Sequence, residues 1–389
     1  MFATIRSVET IVVAIPRDVP YLGPLVEGET VNSRGYFVRR GNRTIYSILD
    51  RSVLIKITAS DGTVGWGETY GIVAPQAVVT IVADVLAPML VSREAVDIPA
   101  IWDELYALMR VRGHWGGFYT DALAAVDIAL WDLAGKLAGR PVVELLGGAR
   151  RMQIPAYASG LPKATLSERV ALAGELVARG FRAIKYAAAV SHEGVIAEMR
   201  ALRETLGPDI DIMVDLHWRY GATEAITLIR ALEPYRPYFV EAPCAPEDID
   251  AQADVAANVS VAIAGGEEWS TIFQVRPRLT HRCVSVIQPE VAHTGLSQFV
   301  AIGRLAGEQG VKVIPHATIG IGIFHTASLH GAACLPDVPF HEHQHSIFEA
   351  NLRFVETRMR CVEGLFELPE GPGLGVEPKK ELWQHVVPT

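Results

Sequence analysis

From residue 151 onward the chain alternates between two hydrophobic patterns. Short, nearly continuous apolar runs recur at intervals of roughly 25 to 30 residues: "MQIPAYAS", "FRAIKYAA", "DIMVDLH", "YFVEAP", "VAIAGGE", "VSVIQPE", "VKVIPHA" and "VPFHEHQHS". Most are separated by segments of helical character, such as "LSERVALAGELVARG", "ATEAITLIRALEPY" and "SQFVAIGRLAGEQG". The last of these ends in Gly310 just before the next run, as helix C-termini often do. Strand then helix, with strands apolar on both faces, predicts parallel pairing covered on both sides. Eight such units predict a closed α/β barrel.

The first part of the chain reads differently. "SVLIKITASDGTVGWGE" predicts two strands joined by the Asp61-Gly62 turn, and "APQAVVTIVADVLAPML" and "IPAIWDELYALMR" predict helices. Strands first and helices after predict a separate α+β domain. The expected division is residues 1–125 for that domain and 126–361 for the barrel. A Pro- and Gly-rich tail, 362–389, is expected to return to the first domain.

Half of the 389 residues are apolar, enough for a large core. The formal charge of −9 argues against nucleic acid and anionic membrane surfaces as partners, though not against an acidic small molecule. Cys244, Cys283, Cys334 and Cys361 lack CxxC spacing and are expected to be reduced thiols of a cytoplasmic protein. No signal-peptide pattern and no membrane-length apolar run is present.

Candidate chemistry lies at the strand ends. Three successive strands finish in Asp215, Glu241 and Glu267, each 26 residues after the last. In a barrel the C-terminal strand ends converge on one site. Three carboxylates there repel one another, and each uncompensated buried charge costs on the order of several kcal/mol. A divalent cation resolves the conflict, and an all-oxygen set suits Mg²⁺. Glu268 could replace Glu267, but spacing favours Glu267. The next two strands end in Glu290 and His316, an acid and the base that it would orient. Alternation along "IMVDLHWRY" would aim Asp215, His217 and Arg219 at one spot.

Other positions are open to two readings. Lys185 can reach the site or send its ammonium to solvent. In "HEHQHS", alternation sets Glu342 opposite His341, His343 and His345, which disfavours a second metal there and lets Glu342 face the site. The loop "SRGYFVRRGNR" carries Arg34, Arg39, Arg40 and Arg43. It is either a solvated loop or a mobile lid that recognises anions, with Arg40 the expected substrate contact.

The acid ladder, the "VGWGE" hairpin, "ALWDLAGK" and "LLGG" together resemble the enolase superfamily in its mandelate racemase-like branch, over nearly the whole chain. The resemblance implies a modified (β/α)₇β TIM barrel beneath an α+β capping domain. It also implies abstraction of a proton α to a carboxylate, giving an enediolate held by Mg²⁺ on Asp215, Glu241 and Glu267. "DLH", "LEPYRPYFVEAP" and "PHATIG" are most similar to the D-galactonate and D-mannonate type of sugar-acid dehydratase. That likeness implies His316 with Glu290 as base, His217 as acid and Glu342 as a support for the enediolate.

This sequence departs from the family pattern at four places. Glu290 stands for the usual Asp, Ala242 for the second Glu of Glu-Glu-Pro, Leu296 for the second Gly of a Gly-Gly pair, and Ala187 for the second Lys of Lys-x-Lys. The last disfavours two-base racemisation between a lysine and a histidine. The expectation is a Mg²⁺-dependent dehydratase of aldonates or aldarates, forming a 2-keto-3-deoxy acid and acting as a homo-oligomer. Its rivals are a racemase, epimerase or lactone cycloisomerase on the same scaffold. An idle binding barrel is disfavoured, because all three acids and both histidines are present.

Overall fold

Eight short strands carry the parallel pattern read from the sequence. They are Gln153–Ser159, Ala183–Ala187, Asp211–Asp215, Val240–Glu241, Ile263–Gly265, Val286–Ile287, Lys312–Val313 and His341–His343. The computed structural model describes residues 3–95 and 97–388. Neighbouring strands from the first to the seventh pair in parallel, and the eighth returns to the first with His341 opposite Ala156. Between the seventh and eighth, closure falls to isolated bonds, Val313 N to Asp337 O at 3.1 Å and Glu342 N to Pro315 O at 3.2 Å. A helix follows each of the first seven strands, giving the (β/α)₇β order. Local signals start these helices where expected: Thr165 and Glu168 form a reciprocal capping box on Leu166–Ala178. Tyr157, Met213, Phe239 and Ile314 fill the barrel interior, so it is a packed core and not a channel.

The first domain is a sheet of Ile5–Pro16, Leu49–Ala59 and Val64–Tyr70, all antiparallel, with Gly62 at φ 93° in the turn. Its face packs on the long helix Phe118–Ala138. A Cβ on Gly67 would lie 1.9 Å from Ala125 O, so only glycine lets strand and helix approach this closely. Glu68 accepts from the amides of Ile321, Ile323 and Phe324 and so fastens the cap to the start of the seventh barrel helix. Asp132 accepts from Trp66 N and Leu374 N, tying hairpin, helix and tail together. These contacts account for the "VGWGE" and "ALWDLAGK" signatures.

The helix Phe118–Ala138 runs through residue 125, so cap and barrel share an element at the expected division. The tail serves both domains. Leu365–Glu367 pairs with the first barrel strand, and Val386–Val387 pairs with Ile5–Pro16. Among the described residues the four cysteines are unpaired, and no helix is long and apolar enough to cross a membrane.

Candidate active site

The C-terminal strand ends open into a cavity of about 300 Å³, lined among others by Asp215, His217, Glu267, His316, Lys185 and Glu342. Cap residues Tyr21, Leu22, Thr44, Ile45 and Tyr46 cover it. The barrel supplies most of the charges, and the loop and hairpin of the cap supply an uncharged roof.

His316 is the centre of the arrangement. Its Nδ1 lies 2.8 Å from Glu290 Oε2, and its Nε2 lies 3.0 Å from Glu267 Oε2 and 3.6 Å from Glu342 Oε2. Glu290 is itself held by Tyr70 OH at 2.9 Å and by Ala292 N at 3.0 Å. Burial alone would lower the imidazole's pKa, but Glu267, Glu342 and Glu290 outweigh it and raise it to about 10. The imidazole and the Glu267 carboxyl face each other across this contact, so the pair holds a proton between them in this arrangement. A cation on Glu267 would remove the contact that holds the proton on Nε2.

The three carboxyl groups each have a basic side chain against them. Lys185 Nζ donates to Glu241 Oε2 at 2.8 Å, His217 Nε2 lies 3.0 Å from Asp215 Oδ2, and His316 meets Glu267. In this state no group of three or more metal-ligating side chains is gathered among the described residues. The donor chemistry nevertheless fits a hard divalent cation. Burial, with Glu241 and Asp215 nearby, pushes the Glu267 carboxyl up to about 8, and burial raises Glu241 as well. Glu241 Oε1 is buried with no hydrogen-bond partner. These are the marks of an acid cluster short of positive charge. Of the adjacent pair, Glu267 lines the cavity, whereas Glu268 does not and keeps Oε2 buried without a partner.

Lys185 is buried, with its ammonium between Glu241 and Glu342, so it does not reach bulk solvent. Glu342 faces the site and accepts from Ala317 N at 2.9 Å. Burial would raise its pKa, but Lys185, His316, Ser159 and that amide hold it down at about 2. As a carboxylate it accepts rather than donates, and it lies against the Lys185 ammonium at 3.2 Å. His341 and His343 lie on the strand's other face, as alternation requires.

Two expected contacts are absent. The third strand does not extend to Arg219, because the chain leaves it after Asp215 and both His217 and Trp218 take left-handed φ values of 52° and 54°. That turn costs of order 1–3 kcal/mol for non-glycine residues and recurs at functional sites. It folds His217 back onto Asp215, whose Oδ1 accepts from the His217 amide at 2.8 Å, and it throws Arg219 outward over Tyr220. Arg40 is also exposed, donating to Glu27 O at 3.1 Å away from the cavity. The hairpin Tyr36–Arg39 and Thr44–Ser47 does form part of the roof, but through Thr44, Ile45 and Tyr46 and not its arginines. Arg39 turns inward and binds Glu29, Tyr21 O, Gly23 O and Pro24 O, holding the loop's shape.

The cavity also holds residues that the sequence did not single out. Tyr70 links the cap to Glu290, and His293 pairs with Asp121 at 2.6 Å. The available signal was "PEVAH", a histidine three positions beyond the strand-end acid. It gave no hint of Asp121, which lies 172 residues earlier.

A family model described as enolase C-terminal domain-like matches residues 168–382, and one for the N-terminal domain of mandelate racemase / muconate lactonizing enzyme matches 46–147. The chain belongs to the enolase superfamily. Within this superfamily it is 33% identical to the D-galactarolactone cycloisomerase of Agrobacterium fabrum over 342 residues, covering 85% of this chain and 89% of that one. It is 32% identical to the arabinonate dehydratase of Saccharolobus solfataricus over 330 residues, covering 83% and 87%. Among solved structures, an enolase superfamily member from Agrobacterium tumefaciens superposes over the full length of both chains with TM-score 0.97 at 49% identity. A racemase from Streptomyces coelicolor A3(2) with bound magnesium gives TM-score 0.85 at 26% identity, covering 98% and 100%. Superfamily membership makes the chain an enzyme, and the parallel barrel under an α+β cap is the superfamily's fold.

Proposed function

We propose that this enzyme is a Mg²⁺-dependent sugar-acid dehydratase acting on an aldonate or aldarate. The observation that carries the reading is His316, fixed by Glu290 through Nδ1, with Nε2 turned into the cavity beneath the cap and beside the acids that line it. That is the geometry of a base for a carbon acid next to a carboxylate.

Asp215, Glu241 and Glu267 would hold the metal. When bound, Mg²⁺ would bind the substrate carboxylate and draw off negative charge that develops as its α-carbon is deprotonated. His316 Nε2 takes the α-proton, and the C–H electron pair moves into the carboxylate. Glu290, anchored by Tyr70 and Ala292 N, keeps the ring's orientation and stabilises the imidazolium formed. Lys185 offers the nearest ammonium to the developing charge. The electron pair then returns, the β C–O bond breaks, and the departing oxygen takes a proton from His217. The enol tautomerises to a 2-keto-3-deoxy acid.

A second reading has a specific observation in its favour, the likeness to a galactarolactone cycloisomerase. If the β-oxygen belongs to a lactone ring, the same elimination opens the ring and releases no water. Arg40 and Arg219, exposed as they are, have no place in either scheme.

The test is a panel of aldonates, aldarates and their lactones with Mg²⁺-loaded enzyme in D₂O. A keto acid trapped by semicarbazide that lacks the elements of one water and carries one solvent deuteron at C3 supports the dehydratase. A keto acid isomeric with its lactone apart from one solvent deuteron supports the cycloisomerase. No keto acid and no α-deuteration from any acid would reject both.

A further inference from the structure

His293 and Asp121 form a second imidazole–carboxylate pair in the same cavity, outside the scheme above. Asp121 lies in the first turn of the helix Phe118–Ala138, and His293 follows the sixth barrel strand. The His293 Nδ1 to Asp121 Oδ1 distance is 2.6 Å. The ring lies against Tyr70, centroids 4.9 Å apart, and Tyr70 bonds to the Glu290 that orients His316. The second pair therefore stands on the same wall as the base, one tyrosine away.

The backbone is built to keep it there. Thr69 Oγ1 donates to Ala292 O at 2.6 Å, and Ser297 binds both oxygens of Asp127, less than two turns beyond Asp121 on the same helix. Gly295, at φ 66°, sits so close to Asp127 that a Cβ would lie 2.8 Å from Oδ2. Both ends of the His293 segment are thus clamped to the cap and its helix. The His293 side chain is still 29% exposed, and the residue lines the cavity. With Nδ1 on Asp121, Nε2 is the nitrogen left for a ligand. Burial would favour the neutral ring, but Asp121 and the more distant Glu290 and Glu267 outweigh it, so the ring keeps its proton more firmly than usual.

We propose that His293, steered by Asp121, is a substrate-contacting residue that donates from Nε2 to an oxygen of the acid and sets which hydroxyl configuration is accepted. The inference rests on the proposed function, since it takes the cavity's ligand to be a polyhydroxy acid. A purely structural tie between cap and barrel would use the same Asp121 contact but would leave substrate choice alone.

The experiment compares His293→Gln and Asp121→Asn with the wild type, each Mg²⁺-loaded, over epimeric aldonates and aldarates. KM, kcat, α-deuteration at saturation and calorimetric affinity are read for each acid. Loss of one charge-assisted hydrogen bond should raise KM and Kd about tenfold or more. The preference among epimers should flatten, and α-deuteration at saturation should stay within about threefold of wild type. The double variant should be no worse than His293→Gln alone, because Asp121 acts through the imidazole. Unchanged affinity and epimer preference in folded single variants would overturn the inference. So would a fall in kcat and exchange with KM unchanged, which would place His293 in the chemistry. Absence of both exchange and keto acid in the wild type would reject the proposed function instead, while the calorimetric comparison would still read His293.

Discussion

The last barrel strand, His341-Glu342-His343, divides two environments. On its inner face Glu342 joins Lys185 and His316 around the cavity. On its outer face His341 and His343 enter a box of rings with His325, Phe348 and Phe366. His316 and His341 are comparably buried, yet three carboxylates raise the first to about 10 while burial among rings lowers the second to about 4. Burial alone does not make a histidine an acid–base group. The carboxylates facing it do, and they come from other strands.

The sharpest way to break this comparison is to remove each imidazole in turn. His316→Asn should cut both α-proton exchange and turnover by about 10²–10⁴-fold or more, the range for a lost general base. His341→Gln should leave exchange per folded molecule unchanged and lower the melting temperature instead, since the ring bonds only Ser328 Oγ and the Glu342 carbonyl. NMR of the α-position in D₂O, with scanning calorimetry beside it, reads both. Native-rate exchange in His316→Asn would move the base to Lys185.

Next in size is an acid effect on stability from the outer face. The His341 pKa is lowered to about 4 by burial, with His343 and His316 adding to it. Its unfolded value is near 6.5, so the unfolded chain binds the proton first as pH falls. Its contribution is whole above about pH 6.5, is lost as pH drops toward 4, and is level below. That loss amounts to about 3 kcal/mol. Unfolding free energies from urea titration at pH 7 and pH 4 should differ less in His341→Gln than in the wild type, by about that amount. An equal acid loss in both would show that His341 is not held neutral.

Much of this division was legible in the sequence, for stated reasons. Strand period and the 26-residue spacing located Asp215, Glu241 and Glu267, because a barrel fixes where strands end. Alternation alone put Glu342 and the histidines on opposite faces. What failed had a common cause: contacts between the domains and turns beyond the strand ends carry no period. Alternation through His217 to Arg219 assumed a strand that two left-handed residues terminate. The "SRGYFVRRGNR" loop looked basic in sequence, but its cavity face is Thr44, Ile45 and Tyr46. Asp121 and His293 meet only because the cap helix crosses the sixth strand's end, a juxtaposition of residues that no local pattern records.

The smallest expected effects belong to the two arginines that the sequence aimed at the substrate. Arg40 and Arg219 are solvent-exposed and outside the cavity lining, so neither can supply a desolvated ion pair to an acid. An exposed charge contributes roughly 0–1 kcal/mol and is screened by salt. Arg40→Ala and Arg219→Ala should therefore change KM by less than about twofold, and 0.5 M salt should erase even that difference. The contrast with His293→Gln is the informative one, because both kinds of variant remove a donor and only one removes it from inside the cavity. A tenfold rise in KM for Arg40→Ala, persisting in high salt, would mean that the hairpin swings its basic edge over the bound acid. The roof would then be an anion-reading lid as well as an uncharged cover, and the division between a charged barrel and an uncharged roof would no longer hold.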